Sequence, residues 1–189
     1  MTNPALARRL LDVIEHDVLP LTRAGVAAGN KVFGAAILRK ADLSLIIAAT
    51  NREMENPLWH GEISCLNAFY AETPGPTEDL IFLSTHEPCT MCMSAITWAG
   101  FDNYAYLFSH EDSRDGFSIP HDLRIMEELY GLPPGGYRRR NAFFTARSIA
   151  EISGSDPALA DRRATITAEY AALSKAYQRG KAANAIPLN

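Results

Sequence analysis

Two stretches, Trp59-His60-Gly61-Glu62 and Glu87-Pro88-Cys89-Thr90-Met91-Cys92, carry the chemistry of this chain and locate its fold. Cys89 and Cys92 stand three apart, so on a helix they lie on one face and can grip one ion. Pro88 suits the entry to that helix, where a missing N–H costs nothing. The dipole and free N–H groups of a helix N-terminus favour thiolate, the form that binds zinc. His60 and Glu62 are two apart and do not share a helical face. At a helix start they can diverge, His60 toward a metal and Glu62 toward its water. One His and two Cys leave the fourth position of a tetrahedral Zn²⁺ open to water, and a Glu beside that water can move protons. The expectation is one Zn²⁺ per chain on His60, Cys89 and Cys92, with Glu62 catalytic and not a ligand.

C-x-x-C has other readings. A redox pair leaves His60-Gly61-Glu62 unused. A structural zinc site needs a fourth ligand. Cys65 is the only other cysteine, and it reads as a small core residue on the helix that begins at His60.

The 189 residues are 47% hydrophobic and 21% charged, which suits a soluble globular chain with a proper core. A single domain over 1–189 is expected, with a core of about 4–150 and a helical extension of about 155–180. Three cysteines, two of them claimed by metal, argue for a reducing compartment, here the cytoplasm. Charges interrupt the first twenty residues, so no signal peptide is read there, and no segment is long enough to span a bilayer. The net charge of −4 gives no general attraction to nucleic acid. Arg138-Arg139-Arg140 is the one basic run and is read as solvated more readily than as an RNA contact.

Leu6, Leu10, Leu11, Ile14 and Val18 recur at helical spacing, so residues 4–19 read as an amphipathic helix that Pro20 bends or restarts. Apolar runs at 32–38 and 43–49 read as an antiparallel hairpin. Helices are expected at 60–71, 89–99 and 120–130, with strands at 80–84, 104–108 and about 142–147. Ile166, Tyr170, Leu173 and Tyr177 mark a long C-terminal helix, and the tail after Gly180 reads as loosely ordered. Helices alternating with buried strands predict a three-layer α/β/α sandwich around a mixed sheet.

From the hairpin to about Leu129 the chain resembles the cytidine deaminase-like superfamily of zinc enzymes, bacterial guanine deaminases and tRNA adenosine deaminases within it most closely. The matching pieces are Phe33-Gly34-Ala35-Ala36-Ile37, Asn51, Asn56-Pro57, the two stretches above, and Ala95-Ile96-Thr97-Trp98-Ala99. The resemblance implies a five-stranded sheet, one Zn²⁺ and a homodimer. It also implies that Asn51 hydrogen-bonds the substrate ring and that Trp98, matching an aromatic of the guanine deaminases, lies near substrate. Phe33 and the backbone of Gly61 join the expected binding groups.

Some residues depart from the family pattern. Gly61 stands where the family carries Ala, which loosens the turn, and Trp59 replaces a small residue. Gly116-Phe117 is followed by Ser118-Ile119 and not by the acidic pair that reads guanine, which makes guanine a poor substrate. Of the polar residues nearby, Asp112 is the candidate contact. The expected function is zinc-dependent hydrolysis of a C–N bond in a cyclic amidine: deamination of a small nucleobase-like heterocycle of purine, pyrimidine or aminotriazine type, with release of ammonia. The alternatives are a tRNA adenosine deaminase and a non-catalytic zinc-bound subunit. The intact Glu62 speaks against the last.

Overall fold

Seven consecutive buried residues make Leu80–His86 the central strand, β3. Apolar runs of this kind, unbroken by polar alternation, mark strands covered on both faces. The computed structural model describes residues 2–72, 75–133 and 136–188. In it β3 lies in a five-stranded sheet with β1 (Gly34–Arg39), β2 (Leu45–Thr50), β4 (Asn103–Phe108) and β5 (Thr145–Ser148), in the order β2-β1-β3-β4-β5. β1 runs antiparallel to both β2 and β3, while β3, β4 and β5 are parallel.

Alternate residues of each strand feed opposite layers. Ala36 and Leu38 pack with Leu10, Ile14 and Val18 from the N-terminal helices and with Ile166, Tyr170 and Tyr177 of α8 (Pro157–Gly180). Ala35, Ile37 and Phe82 pack with Cys65, Leu66 and Phe69 of α3 (Gly61–Glu72) and Ile96 of α4 (Thr90–Trp98). The α/β/α sandwich expected from the alternation is the observed architecture, and Cys65 is a core residue.

The N-terminal helix does not break at Pro20. α1 (Pro4–Val13) widens into a π-turn over Ile14–Val18 and resumes as α2 (Leu19–Ala27), with Pro20 in its first turn. A proline inside a regular helix removes one hydrogen bond and clashes with the carbonyl four residues back. The wider turn relieves both.

Two short helices escaped the sequence reading. α5 (His110–Phe117) occupies what read as a polar loop, and it starts at a reciprocal capping box between Ser109 and Asp112. α7 (Ile149–Ser153) starts at another, between Ser148 and Glu151. α6 (His121–Tyr130) ends as expected at Gly131, whose φ of +63° suits glycine. The strand expected at 142–147 begins later, at Thr145. The tail after Gly180 is a further correction. Ile186 is buried and the Asn184 side chain donates to the Gly29 carbonyl at 3.1 Å, so the tail is held against the body. Among the described residues, no helix is long and apolar enough to cross a membrane.

Candidate metal centre and substrate pocket

β3 delivers the chain through Glu87 and Pro88 to Cys89, which is the N-cap of α4. Pro88 therefore precedes the cap and lies outside the helix. The Cys89 sulfur accepts from the Cys92 N–H at 3.5 Å, the pairing that an N-cap side chain makes. His60 immediately precedes α3. Its Nδ1 lies 3.6 Å from the Cys89 sulfur and 3.7 Å from the Cys92 sulfur. Tetrahedral zinc, with bonds of ~2.3 Å to sulfur and ~2.0 Å to nitrogen, separates such ligands by about 3.5 Å. The three donor atoms lie within 4.8 Å of one another and so fit one zinc ion.

Glu62 sits one residue into α3, almost wholly buried, and accepts from the Ser84 hydroxyl at 2.8 Å. Burial, then the Cys89 thiolate, push its carboxyl above the usual range, although His60 pulls the other way. Burial disfavours charge on His60, but the Cys89 thiolate, Glu53 and Glu62 outweigh it and raise the imidazole to about 9. The thiols divide: the Cys92 hydrogen bond and His60 hold Cys89 well below the usual thiol range, while burial holds Cys92 well above it.

The α3 start lies hard against β1. A Cβ on Gly61 would fall 2.7 Å from the Gly34 Cα and 2.9 Å from its nitrogen. Gly61 therefore does not loosen the turn as expected; it lets two backbones meet, and the contact fixes His60 and Glu62 relative to the sheet.

Sequence reasoning missed the carboxylate beneath the histidine. Glu53, its side chain 1% exposed, stands 2.9 Å from Lys31 Nζ and 3.5 Å from His60 Nε2. Its other oxygen accepts from Asn51 Nδ2 at 2.6 Å. Nothing in a lone Glu after a strand signals this role, because the partners lie 22 residues before it and seven after.

Asn51 departs from expectation. It is fully buried, its carbonyl oxygen accepts from the Gly61 N–H, and its amide nitrogen donates to Glu53. The same bond occupies the Gly61 N–H that was expected to orient substrate. Both groups hold the site together rather than face its opening.

The opening is a cavity of about 350 Å³ that reaches His60 and Cys89. Phe33, Leu58, Met91, Ile119 and Ile125 give it apolar walls, and Pro187 and Leu188 bring the C-terminal tail to its rim. Its charged or ionisable lining comprises Lys31, Glu53, His121 and Asp122 as well as the metal-site residues. Phe33 is thus in the pocket as expected. Trp98 is not: it is 91% exposed on the far side of α4, beside the exposed Phe143. Asp112 is not there either, because its carboxylate caps α5 by accepting from the Ser109 N–H. Trp59 packs outside, under the Arg52 guanidinium at 4.8 Å. A wider depression of about 700 Å³ between α2 and α8 holds none of the candidate metal ligands.

A second network supports the cysteine loop from behind. Glu87, fully buried, accepts from Arg139 Nε at 2.7 Å and from the Tyr137 hydroxyl. His110 Nε2 lies 3.0 Å from the Pro88 carbonyl. Arg139 is therefore tied inward and is not part of an open basic track.

A three-layer sandwich with one His and two Cys at neighbouring helix starts offers a site that could hold one metal ion. The profile of the cytidine and deoxycytidylate deaminase zinc-binding region matches residues 13–108, and the chain belongs to that family. The guanine deaminase of Nitrosomonas europaea shares the fold, with a TM-score of 0.52 at 22% identity over 91% of this chain and 86% of that one. The guanine deaminase of Bacillus subtilis gives 0.45 at 27% identity over 60% and 68% of the two chains. A tRNA deaminase that edits the wobble position gives 0.46 at 20% identity over 68% and 92%. No curated protein sequence matches the chain.

Proposed function

We propose that this chain is a zinc-dependent hydrolase that deaminates a small nucleobase-like heterocycle and releases ammonia. The observation that carries this reading is the buried Glu62 carboxylate beside the His60, Cys89 and Cys92 donors, where a cavity of about 350 Å³ reaches the metal site. That volume lies at the small end of small-molecule pockets, roughly 300–1,000 Å³.

Zinc held by His60, Cys89 and Cys92 would supply Lewis acidity and a water acidified to about neutral pH. Glu62 takes a proton from the attacking water and passes protons to the ring nitrogen and then to the departing amine. Its raised affinity for protons suits an acid–base shuttle. Phe33 and Ile119 give the ring an apolar lining. The net reaction replaces C–NH₂ by C=O and consumes one water.

In this reading the whole chain works as one domain, since α8 shares the core of the N-terminal helices. Three free thiols suit a reducing cytoplasm. A homodimer is part of the reading. Ile96, Leu123 and Met126 are buried within the chain, which leaves the exposed Trp98 and Phe143 as the apolar surface on that side. Light scattering that shows only monomer at micromolar concentration would remove the dimer.

The deciding experiment measures zinc content and ammonia release across purines, pyrimidines and aminotriazines, beside inosine formation in anticodon stem-loop RNA. Wild type should release ammonia from at least one free ring. Glu62→Gln should keep its zinc and lose at least ~10²-fold in turnover. RNA editing with no activity on any free ring would replace this reading with the tRNA one.

A further inference from the structure

We infer that Asp122 is the substrate-reading group of the pocket, and that the ring it selects carries a second exocyclic amino group besides the one that leaves. This rests on the proposed deaminase reading and names the substrate class for the same site.

The other charged groups around the cavity are spent on partners. Glu53 is saturated by Lys31, Asn51 and His60. Lys31 is drawn to Glu53 in a buried pair. Glu62, beside the metal donors, accepts from Ser84. Asp122, from the first turn of α6, lines the same cavity. Among the described residues it has no hydrogen-bond or ion-pair partner, and burial, then the Cys89 thiolate, push its carboxyl up to about 8, although His60 and Lys31 pull the other way. Partly buried on the cavity wall, it keeps its acceptors unspent and open to a ligand. The helix dipole favours charge at this position but does not saturate its lone pairs.

In its ionised form, which N–H donors favour, Asp122 offers acceptors only, and its two oxygens match a pair of N–H donors. With the leaving amino group directed at Glu62 and the metal site, the donor for Asp122 must come from elsewhere on the ring. A second amino group supplies it. A ring that puts a bare C–H or a carbonyl there leaves Asp122 unpaired or faces it with another acceptor, and sites built for a hydrogen bond discriminate strongly against that. Ile119 stands on the same wall and offers no competing polar contact.

The test uses matched pairs that differ only in that amino group: 2,4-diaminopyrimidine against 4-aminopyrimidine, 2,6-diaminopurine against adenine, and 2,4-diamino-1,3,5-triazine against 2-amino-1,3,5-triazine. Dissociation constants are measured by calorimetry on zinc-loaded Glu62→Gln protein, which binds without turning over, alone and combined with Asp122→Asn or Asp122→Ala. The expected result is at least tenfold tighter binding of the diamino member of one or more pairs, falling to within twofold in both Asp122 variants at unchanged zinc content. No preference in any pair, or a preference that survives both substitutions, overturns the inference. The matched pairs decide it even where a variant fails to fold. Ammonia release by wild type is scored separately. Turnover without a diamino preference removes only the role of Asp122, whereas a diamino preference with no turnover on any ring removes only the deaminase reading.

Discussion

The Glu53 carboxylate stands 3.5 Å from Nε2 of His60, while Nδ1 of the same ring faces the Cys89 and Cys92 sulfurs. One ring nitrogen is thereby assigned to the metal side and the other to a buried carboxylate. Such partners fix the tautomer and the direction of a metal-binding imidazole, and removing one typically lowers metal affinity 10–100-fold. Glu53→Gln should show that loss in a chelator competition. It also strands Lys31 as a buried charge, at a cost of about 3–5 kcal/mol. Lys31→Met added to Glu53→Gln should restore much of the stability in urea unfolding but not the zinc affinity. Recovery of both would mean that Glu53 serves the fold alone.

Gly61→Ala is expected to do harm despite adding a single methyl. Its Cβ would meet the Gly34 backbone at 2.7 Å, and neither backbone has a flexible end that could move aside. Overpacking of this kind costs about 1–3 kcal/mol. The displaced α3 start should carry His60 and Glu62 with it, so turnover should fall further than stability alone explains. Unfolding midpoints beside zinc content and ammonia release will show it. Wild-type turnover in this variant would refute the close-contact account.

The cysteines should separate cleanly. Cys89→Ser should lose zinc, because a hydroxyl is a poor substitute for a thiolate ligand. Cys65→Ser should keep its zinc. Cys65 is fully buried in the α3 layer, and burial pushes its thiol far above the ordinary range, so it stays neutral. Its replacement should cost only the ~1–3 kcal/mol of burying a poorly paired hydroxyl. Metal analysis of the two purified variants decides the ligand set.

A pH effect should arise from His86. It lies among Phe33, Phe108, Phe117 and Tyr170, and burial pushes its imidazole down to about 3 from an ordinary 6.5. Below pH 6.5 the unfolded chain therefore binds a proton that the folded chain refuses. The stability attached to neutral His86 is complete above that pH and shrinks by up to ~1.4 kcal/mol per pH unit below it. His86→Leu should flatten this slope between pH 6.5 and 5 in denaturant titrations at fixed zinc. An unchanged slope would place the protonation elsewhere.

How much of this was legible beforehand depended on how local each signal was. The metal ligands were legible in the sequence because cysteines three apart and a His-x-Glu pair are local patterns with few other uses. The sandwich was legible because β3 is apolar without interruption while Leu10, Leu11 and Ile14 repeat at helical spacing. α5 was missed because charged residues hid its capping box, and the loosely ordered tail was misjudged because Ile186 finds its burial only in the folded chain.

The sequence by itself determined the layer order, the three candidate metal donors and the acid beside them. The tertiary structure alone decided which polar groups face the pocket and which are spent on one another. Asn51 and Asp112 carry the same chemistry wherever they stand, yet one is consumed by Gly61 and Glu53 and the other by the cap of α5. Glu53 and Asp122 came to line one cavity only when distant segments closed around them. Hydrogen-bond partners far apart in the chain leave no period or spacing in a sequence, because their distance is set by packing.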